Sequence, residues 1–289
     1  MSWNYRMNIR PLRFSPRSIT MAAALVGVVS LAIGAHAALN MRALDAAKAI
    51  ATEHDDGAAA THNARIALVI GNGHYPDANA PLAQPINDAR ALSDALRRNG
   101  FEVEMVEDAS REDMRRAVAR LTAKVRPDSV VMLFFGGYGV QVGRESYMIP
   151  VDAAIWKEAD VRREGLSIEA VLDGIKAQGA CAKLVVIDAS RRNPYERRFR
   201  SYSHGLAPID APDNALVLTS ATPGKVADDS QGAHSVLVSE LLTHINDQAA
   251  GAEAIFNQTR VAISRASDGE QVPTVSSSLL EDVRLAAAD

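Results

Sequence analysis

Three short runs constrain the fold more than anything else in this chain: RIALVIG at 65–71, SVVMLFF at 129–135 and AKLVVID at 182–188. Each is apolar nearly throughout, without a polar residue at every second place. Such a strand has no face to offer to water, so it has to be covered on both sides, as a central strand of a mostly parallel sheet is. The segments between these runs supply the cover. Residues 86–98 carry Ala89, Leu92 and Leu96 on one helical face, and Asn99-Gly100 stops them. FEVEMVE at 101–107 alternates, as a strand with one wet face does. Ser110 caps the next helix, with Asp113 as a shorter stand-in for the capping-box acid and Met114, Val118 and Leu121 as the stripe. Residues 146–152 read as a short strand or hairpin arm, 166–178 as a helix ended by Gly179, and 214–221 as a third central strand. Two helices come next, at 232–248 and 252–266. QVPTVSSSL at 271–279 reads as a last strand, which Pro273 confines to an edge or a bulge. Strands alternating with helices of this length make βαβ units, so the class expected is α/β, with a mostly parallel sheet between helical layers.

With 289 residues and 47% hydrophobic content, the chain is long enough for one sizeable core. A formal charge of -4 gives no footing for nucleic acid as a partner. The single cysteine, Cys181, excludes an internal disulfide, and its place at the start of an apolar run reads as a buried thiol. The first forty residues differ from the rest. Arg6, Arg10, Arg13 and Arg17 precede the apolar run 21–39, no acidic residue appears before Asp45, and Ala35-His36-Ala37 forms a small-x-small pattern. This is a charged region, an apolar region and a cleavage site, or else an uncut anchor, since the run spans roughly 28 Å as a helix. The expected organisation is therefore a signal peptide or membrane anchor at 1–37, a linker with a short helix at 38–64, one folded domain at 65–280 and a tail at 281–289. The location expected is the periplasm, or the inner membrane with the domain facing the periplasm, where residues 21–39 would hold an uncut chain to the bilayer.

In open parallel sheets, chemistry collects beyond the carboxyl ends of the strands. Two of the central runs end in notable loops, Gly136-Gly137-Tyr138-Gly139 and Asp188-Ala189-Ser190-Arg191. If these strands are neighbours, Tyr138 and Ser190 face one another across one crevice. The glycines beside Tyr138 leave room for backbone to approach a ligand, and the N–H groups of such a turn hold anions.

Residues 65–280 resemble the bacterial metacaspases, caspase-like domains of the peptidase C14 family that includes the orthocaspases. ALVIGNGHY at 67–75 resembles the family's first strand and its loop, and Leu82, Pro85 and Asn87-Asp88-Ala89 resemble the family's next residues. Gly137-Tyr138-Gly139 stands where the family has Gly-His-Gly. Residues 147–152 resemble its Tyr-Leu-Ile-Pro-Val-Asp, and 188–194 its Asp-Ala-Cys-Arg-x-Asn-Pro. Residues 220–224, Ala227-Asp228, Gly232 and Ser235 resemble its substrate-side loop, and Gly269, Gln271, Pro273 and 276–279 its closing segment. The resemblance implies a caspase-like fold, a six-stranded, mostly parallel central sheet flanked by helices on both faces.

The departures fall on the residues that would do the chemistry. The family's base is histidine and its nucleophile cysteine; this chain has Tyr138 and Ser190. A serine hydroxyl needs a positioned base, and an unperturbed tyrosine titrates near 10, so roughly one phenol in a thousand is ionised at pH 7. His74, beyond the first strand, and His204, after the nucleophile motif, are the candidates for a rescuing base. In the family the aspartate two places before the nucleophile helps form a pocket for basic side chains; here that is Asp188, with Gly137, Gly139, Ser220, Asp228 and Asp229 as further pocket residues. Asp188 also reads as a strand-end carboxylate taking backbone N–H groups. Arg191, Arg192, Arg197, Arg198 and Arg200 crowd one loop with only Glu196 against them, either as a dock for an acidic partner or anionic headgroup or as a solvated face. The leading expectation is a catalytically inactive caspase homologue that binds a peptide or protein in the former cleft, or pairs with an active caspase-like relative. The alternatives are a hydrolase using Ser190 with preference for basic side chains, and a scaffold with an empty cleft. No cofactor or metal is expected; calcium, which some of the family bind, finds no acidic cluster to place it.

Overall fold

The computed structural model describes residues 64–76, 81–199, 204–227 and 232–286. The three apolar runs are strands β1 (Arg65–Gly71), β3 (Val130–Gly136) and β7 (Ala182–Asp188). Together with β2 (Glu102–Glu107), β8 (Ala215–Thr219) and β9 (Thr274–Ser277) they form a six-stranded sheet in the order β2-β1-β3-β7-β8-β9. All neighbours are parallel except β9, which runs antiparallel to β8 at the edge, directly after Pro273.

Helices cover both faces. On one, α2 (Arg111–Lys124) and α4 (Ile168–Ala177) pack Met114, Leu121, Ile168 and Leu172 against Leu68, Leu133 and Val185. On the other, α1 (Gln84–Arg98), α5 (Val236–His244) and α6 (Ala252–Ala266) pack Leu92, Leu96, Leu237, Leu241 and Phe256 against Val69, Phe134 and Val186. Burial of this kind is worth about 1.5–3 kcal/mol per large side chain. The open edge at β2 is shielded by charge: Glu102, Glu104 and Glu107 pair with Lys124, Arg120 and Arg90. Charged edges of this kind resist strand addition.

Several elements depart from the sequence pattern. Helix α1 begins at Gln84 rather than 86, with Pro85 in its first turn, where a missing N–H costs nothing. Helix α5 begins only after Ser235, whose Oγ accepts the Val238 N–H at 3.1 Å, so residues 232–235 lie outside it. Helix α3 (Glu158–Glu164) and two short strands, β4 (Gly139–Val142) and β6 (Leu166–Ser167), are additions to the elements expected. With β5 (Glu145–Met148) the two strands make a small antiparallel sheet, β4-β5-β6, in which Gly143 turns the hairpin at φ +66°. Cys181 is half-buried rather than buried, because it lies just before β7 begins. The capping box at Ser110 and Asp113 is present as expected.

Register fixes the functional edge. Gly71, Gly136 and Asp188 stand side by side at the carboxyl ends of β1, β3 and β7. A Cβ on Gly71 would lie 2.4 Å from the Pro85 carbonyl oxygen, so α1 sits close over this edge and carries Asp88 to it.

Candidate active site

The loops after β3 and β7 are joined by backbone. The Gly137 N–H donates to the Asp188 carbonyl at 3.3 Å, and the Gly139 N–H to the Ala189 carbonyl at 3.1 Å. A Cβ on Gly137 would stand 2.5 Å from Tyr75 Oη, and one on Gly139 2.6 Å from Leu206 Cδ2 and 2.9 Å from the Ala189 oxygen. Neither glycine has a positive φ. They are small so that the protein's own loops can close on one another, which differs from the role expected of them, backbone room for a ligand.

Tyr138 is 5% exposed and belongs to the packing. Its ring meets Tyr75 edge-on, centroids 4.8 Å apart, within a cluster that includes Val140, Tyr147, Ile149 and Tyr195. Its backbone N–H donates to Tyr75 Oη, and that hydroxyl donates to the Ile149 carbonyl, both at 3.0 Å. Burial drives the Tyr75 hydroxyl far above the usual phenol range, so Tyr75 stays protonated and is no base.

Ser190 is 1% exposed. Its N–H donates to Ser220 Oγ at 3.3 Å, and its carbonyl accepts the Ala227 N–H at 2.7 Å. Its Oγ has no hydrogen-bond partner, so neither the Tyr138 hydroxyl nor any imidazole is bonded to it. His74 points elsewhere: its Nδ1 lies 2.5 Å from Asp108 Oδ2, and its side chain is 73% exposed. Burial alone would raise the Asp108 carboxyl, but the N–H groups of His74 and Gly73 and the imidazole outweigh it and hold Asp108 below the usual carboxylate range. His204 is half-buried and likewise makes no bond to the Ser190 hydroxyl.

Beside this uncharged centre lies a charged one. Asp188 ends β7 buried, and Arg191 is buried against it. Arg191 Nη1 donates to the carbonyls of Gly137, at 3.0 Å, and of Asp188, while Nη2 stands 3.7 Å from Asp188 Oδ2. Arg191 therefore clamps the two catalytic-position loops, and the expectation that it belongs to an exposed basic loop is corrected. Asp88, on α1, is 1% exposed. Its Oδ1 accepts His234 Nδ1 at 2.9 Å, and both its oxygens accept the Ser235 N–H. Burial, and after it the nearby charge of Asp188, push Asp88 up to about 6, against the opposing effect of the His234 and Ser235 bonds. Sequence reasoning gave Asp88 only a place in a motif. The signal was available: Asp88, Leu92 and Leu96 fall at i, i+4 and i+8, which puts a carboxylate on the apolar face of α1.

The remaining predicted residues separate. Ser220 is buried beside Ser190, and its carbonyl accepts Gln271 Nε2 at 2.9 Å. Arg198 is half-buried; its Nη1 donates to the Ile155 carbonyl at 2.5 Å and its guanidinium lies over Trp156 and Tyr195. Arg192 and Arg197 are exposed. Arg200, Asp228, Asp229 and residues 21–39 lie outside the described residues. Among the described residues no helix is long and apolar enough to cross a membrane, and no group of three or more His, Cys, Asp or Glu is arranged to hold a metal ion.

A mostly parallel six-stranded sheet flanked by helices on both faces, with the loops after two neighbouring central strands joined, is a caspase-like fold. Residues 64–284 match the family model described as the caspase domain of peptidase C14, and the chain belongs to that family. It is also similar to the human protein described as mucosa-associated lymphoid tissue lymphoma translocation protein 1, with 32% identity over 89 residues. That match covers 31% of this chain and 11% of the relative, so the chain spans about a tenth of that protein's length.

Proposed function

We propose that this caspase-domain protein acts by binding a peptide or protein segment through a basic side chain, and that it does not hydrolyse what it binds. The observation that carries the reading is the Ser190 hydroxyl, buried with no hydrogen-bond partner, while Tyr138 is taken up in aromatic packing. Serine becomes a nucleophile only when a base within about 3 Å takes its proton. Nothing bonded to Ser190 Oγ meets that need. The neighbouring pocket argues for retained binding. Asp88 and Asp188 are two buried carboxylates, and burial together with the charge of Asp188 raises the proton affinity of Asp88; such an arrangement disfavours the fold unless a cation uses it. Arg191 stands at Asp188, and the Asp88 side turns toward the substrate-side segment 232–235.

Calorimetry with end-blocked peptides tests the reading. A peptide carrying arginine is expected to bind saturably and remain intact, and its alanine counterpart to bind at least tenfold more weakly. Asp88→Asn is expected to remove most of that preference. Equal binding of the two peptides, or cleavage of either, overturns it.

A further inference from the structure

His234 makes no bond to the Ser190 hydroxyl, yet it is bound to the buried Asp88. We propose that His234 is an internal stopper of the pocket at Asp88: its imidazole holds the Asp88 carboxylate, and a cationic side chain enters only by displacing it, which frees the segment ahead of α5. The inference rests on the binding reading above and adds to it how the site is controlled.

The geometry is specific. Helix α1 holds residues 232–235 through three side chains. Gln84 Nε2 donates to the Gly232 carbonyl at 3.4 Å, Asn87 Nδ2 to the Ala233 carbonyl at 3.2 Å, and Asp88 takes both His234 Nδ1 and the Ser235 N–H. The first two contacts are neutral and partly exposed. Only the contact at Asp88 joins ionisable partners, and its carboxylate is buried while the His234 side chain is 33% exposed. A ligand from solvent therefore meets the imidazole before it meets the carboxylate. Among the described residues, the ionisable groups facing this point include Asp88 on α1, Asp188 at the end of β7, Arg191 beside Asp188, and His234 itself. Asp188 and Arg191 largely answer each other, which leaves Asp88 as the carboxylate that a newcomer would pair with. Burial raises its proton affinity even with the imidazole in place, so the carboxylate is left incompletely compensated and open to a cationic partner.

Displacement has a structural consequence. Ser235 caps α5 through its Oγ while its N–H binds Asp88. Removing His234 from Asp88 loosens one end of a segment whose other end begins a helix packed on the sheet. Ligand entry is thereby transmitted to the first turn of α5.

The test compares wild type, His234→Ala and His234→Gln of the full chain with end-blocked Ala-Arg-Ala at pH 7, by calorimetry. The stopper account expects His234→Ala to bind about tenfold more tightly than wild type, and His234→Gln, which keeps an N–H for Asp88, to fall between them. In nuclear magnetic resonance spectra of the wild type, the Ser235 amide is expected to shift on adding the peptide. Equal affinities in all three proteins, or an unmoved Ser235 amide, overturn the stopper and leave the binding reading standing. Absence of binding in all three overturns the binding reading and the stopper with it. Should His234→Ala fail to fold, His234→Gln and the amide shift decide.

Discussion

The two halves of the crevice have been treated in opposite ways. At its centre, Tyr138 and Ser190, at the ends of neighbouring strands, are both part of the interior. A few residues away, Asp88, Asp188 and Arg191 keep a dense set of charges in places almost without solvent, with the partly exposed His234 bonded to Asp88. The difference shows which half the fold tolerates at a cost. A buried phenol in an aromatic cluster stabilises the protein, whereas buried carboxylates work against it unless each finds a partner. Function is better sought where the structure accepts that cost.

Substitutions on either side should separate the two halves. The largest effect is expected at Arg191. Arg191→Ala leaves Asp188 as a buried charge without its partner and takes a charged donor from the Gly137 and Asp188 carbonyls, and should lower stability by about 3–5 kcal/mol in urea denaturation. The adjacent exposed Arg192→Ala should change it by less than about 0.5 kcal/mol. Equal effects would erase the distinction between the clamp and the surface loop.

Next comes Asp88→Asn, with the sign reversed. Folded Asp88 keeps its proton up to about 6, while its ordinary value is 3.8. Its support for the fold is complete below 3.8 and is lost as the pH rises through 6. Asparagine suffers no such loss. At pH 7 the variant should therefore be more stable than wild type by about 3 kcal/mol, taking about 1.4 kcal/mol per pH unit over roughly two units. Near pH 4 the two melting temperatures should meet. A variant less stable than wild type at pH 7 would mean that the pocket favours the fold after all.

On the uncharged side, Gly139→Ala should cost about 1–3 kcal/mol, because its Cβ presses on the Ala189 carbonyl as well as on the movable end of Leu206. The smallest change is Ser190→Ala, which removes a buried hydroxyl that bonds to nothing. Thermal denaturation should show it neutral or stabilising by up to about 1 kcal/mol. A clear loss would reveal a hydrogen bond to that hydroxyl.

Much of the architecture was legible in the sequence because the central strands are apolar on both faces, and β1 and β7 have the bounds that the pattern gives them. The small sheet was not legible. Strands β4 and β6 are four and two residues long, too short for a period to register, and β4 comes directly after the glycine loop. Helix α5 is shorter than its pattern because residues 232–235 are compatible with a helix locally, and bonds to Gln84, Asn87 and Asp88 hold them outside it. The candidate site divides in the same way. The places of Tyr138 and Ser190 just past two central strands came out of the βαβ pattern, and the pairing of β3 with β7 makes those strands neighbours. The inward turn of Arg191 did not, since five arginines in one loop look alike until the Gly137 and Asp188 carbonyls are placed beside one of them.

The claim that matters most is that nothing takes the proton from Ser190. The direct measurement is incubation of the full chain with a fluorophosphonate probe at pH 7.5, then intact-mass and peptide analysis beside Ser190→Ala. Neither wild type nor variant should gain the mass of the probe, and Ser190 should be unmodified. Probe attached to Ser190, absent from the variant, would contradict the account.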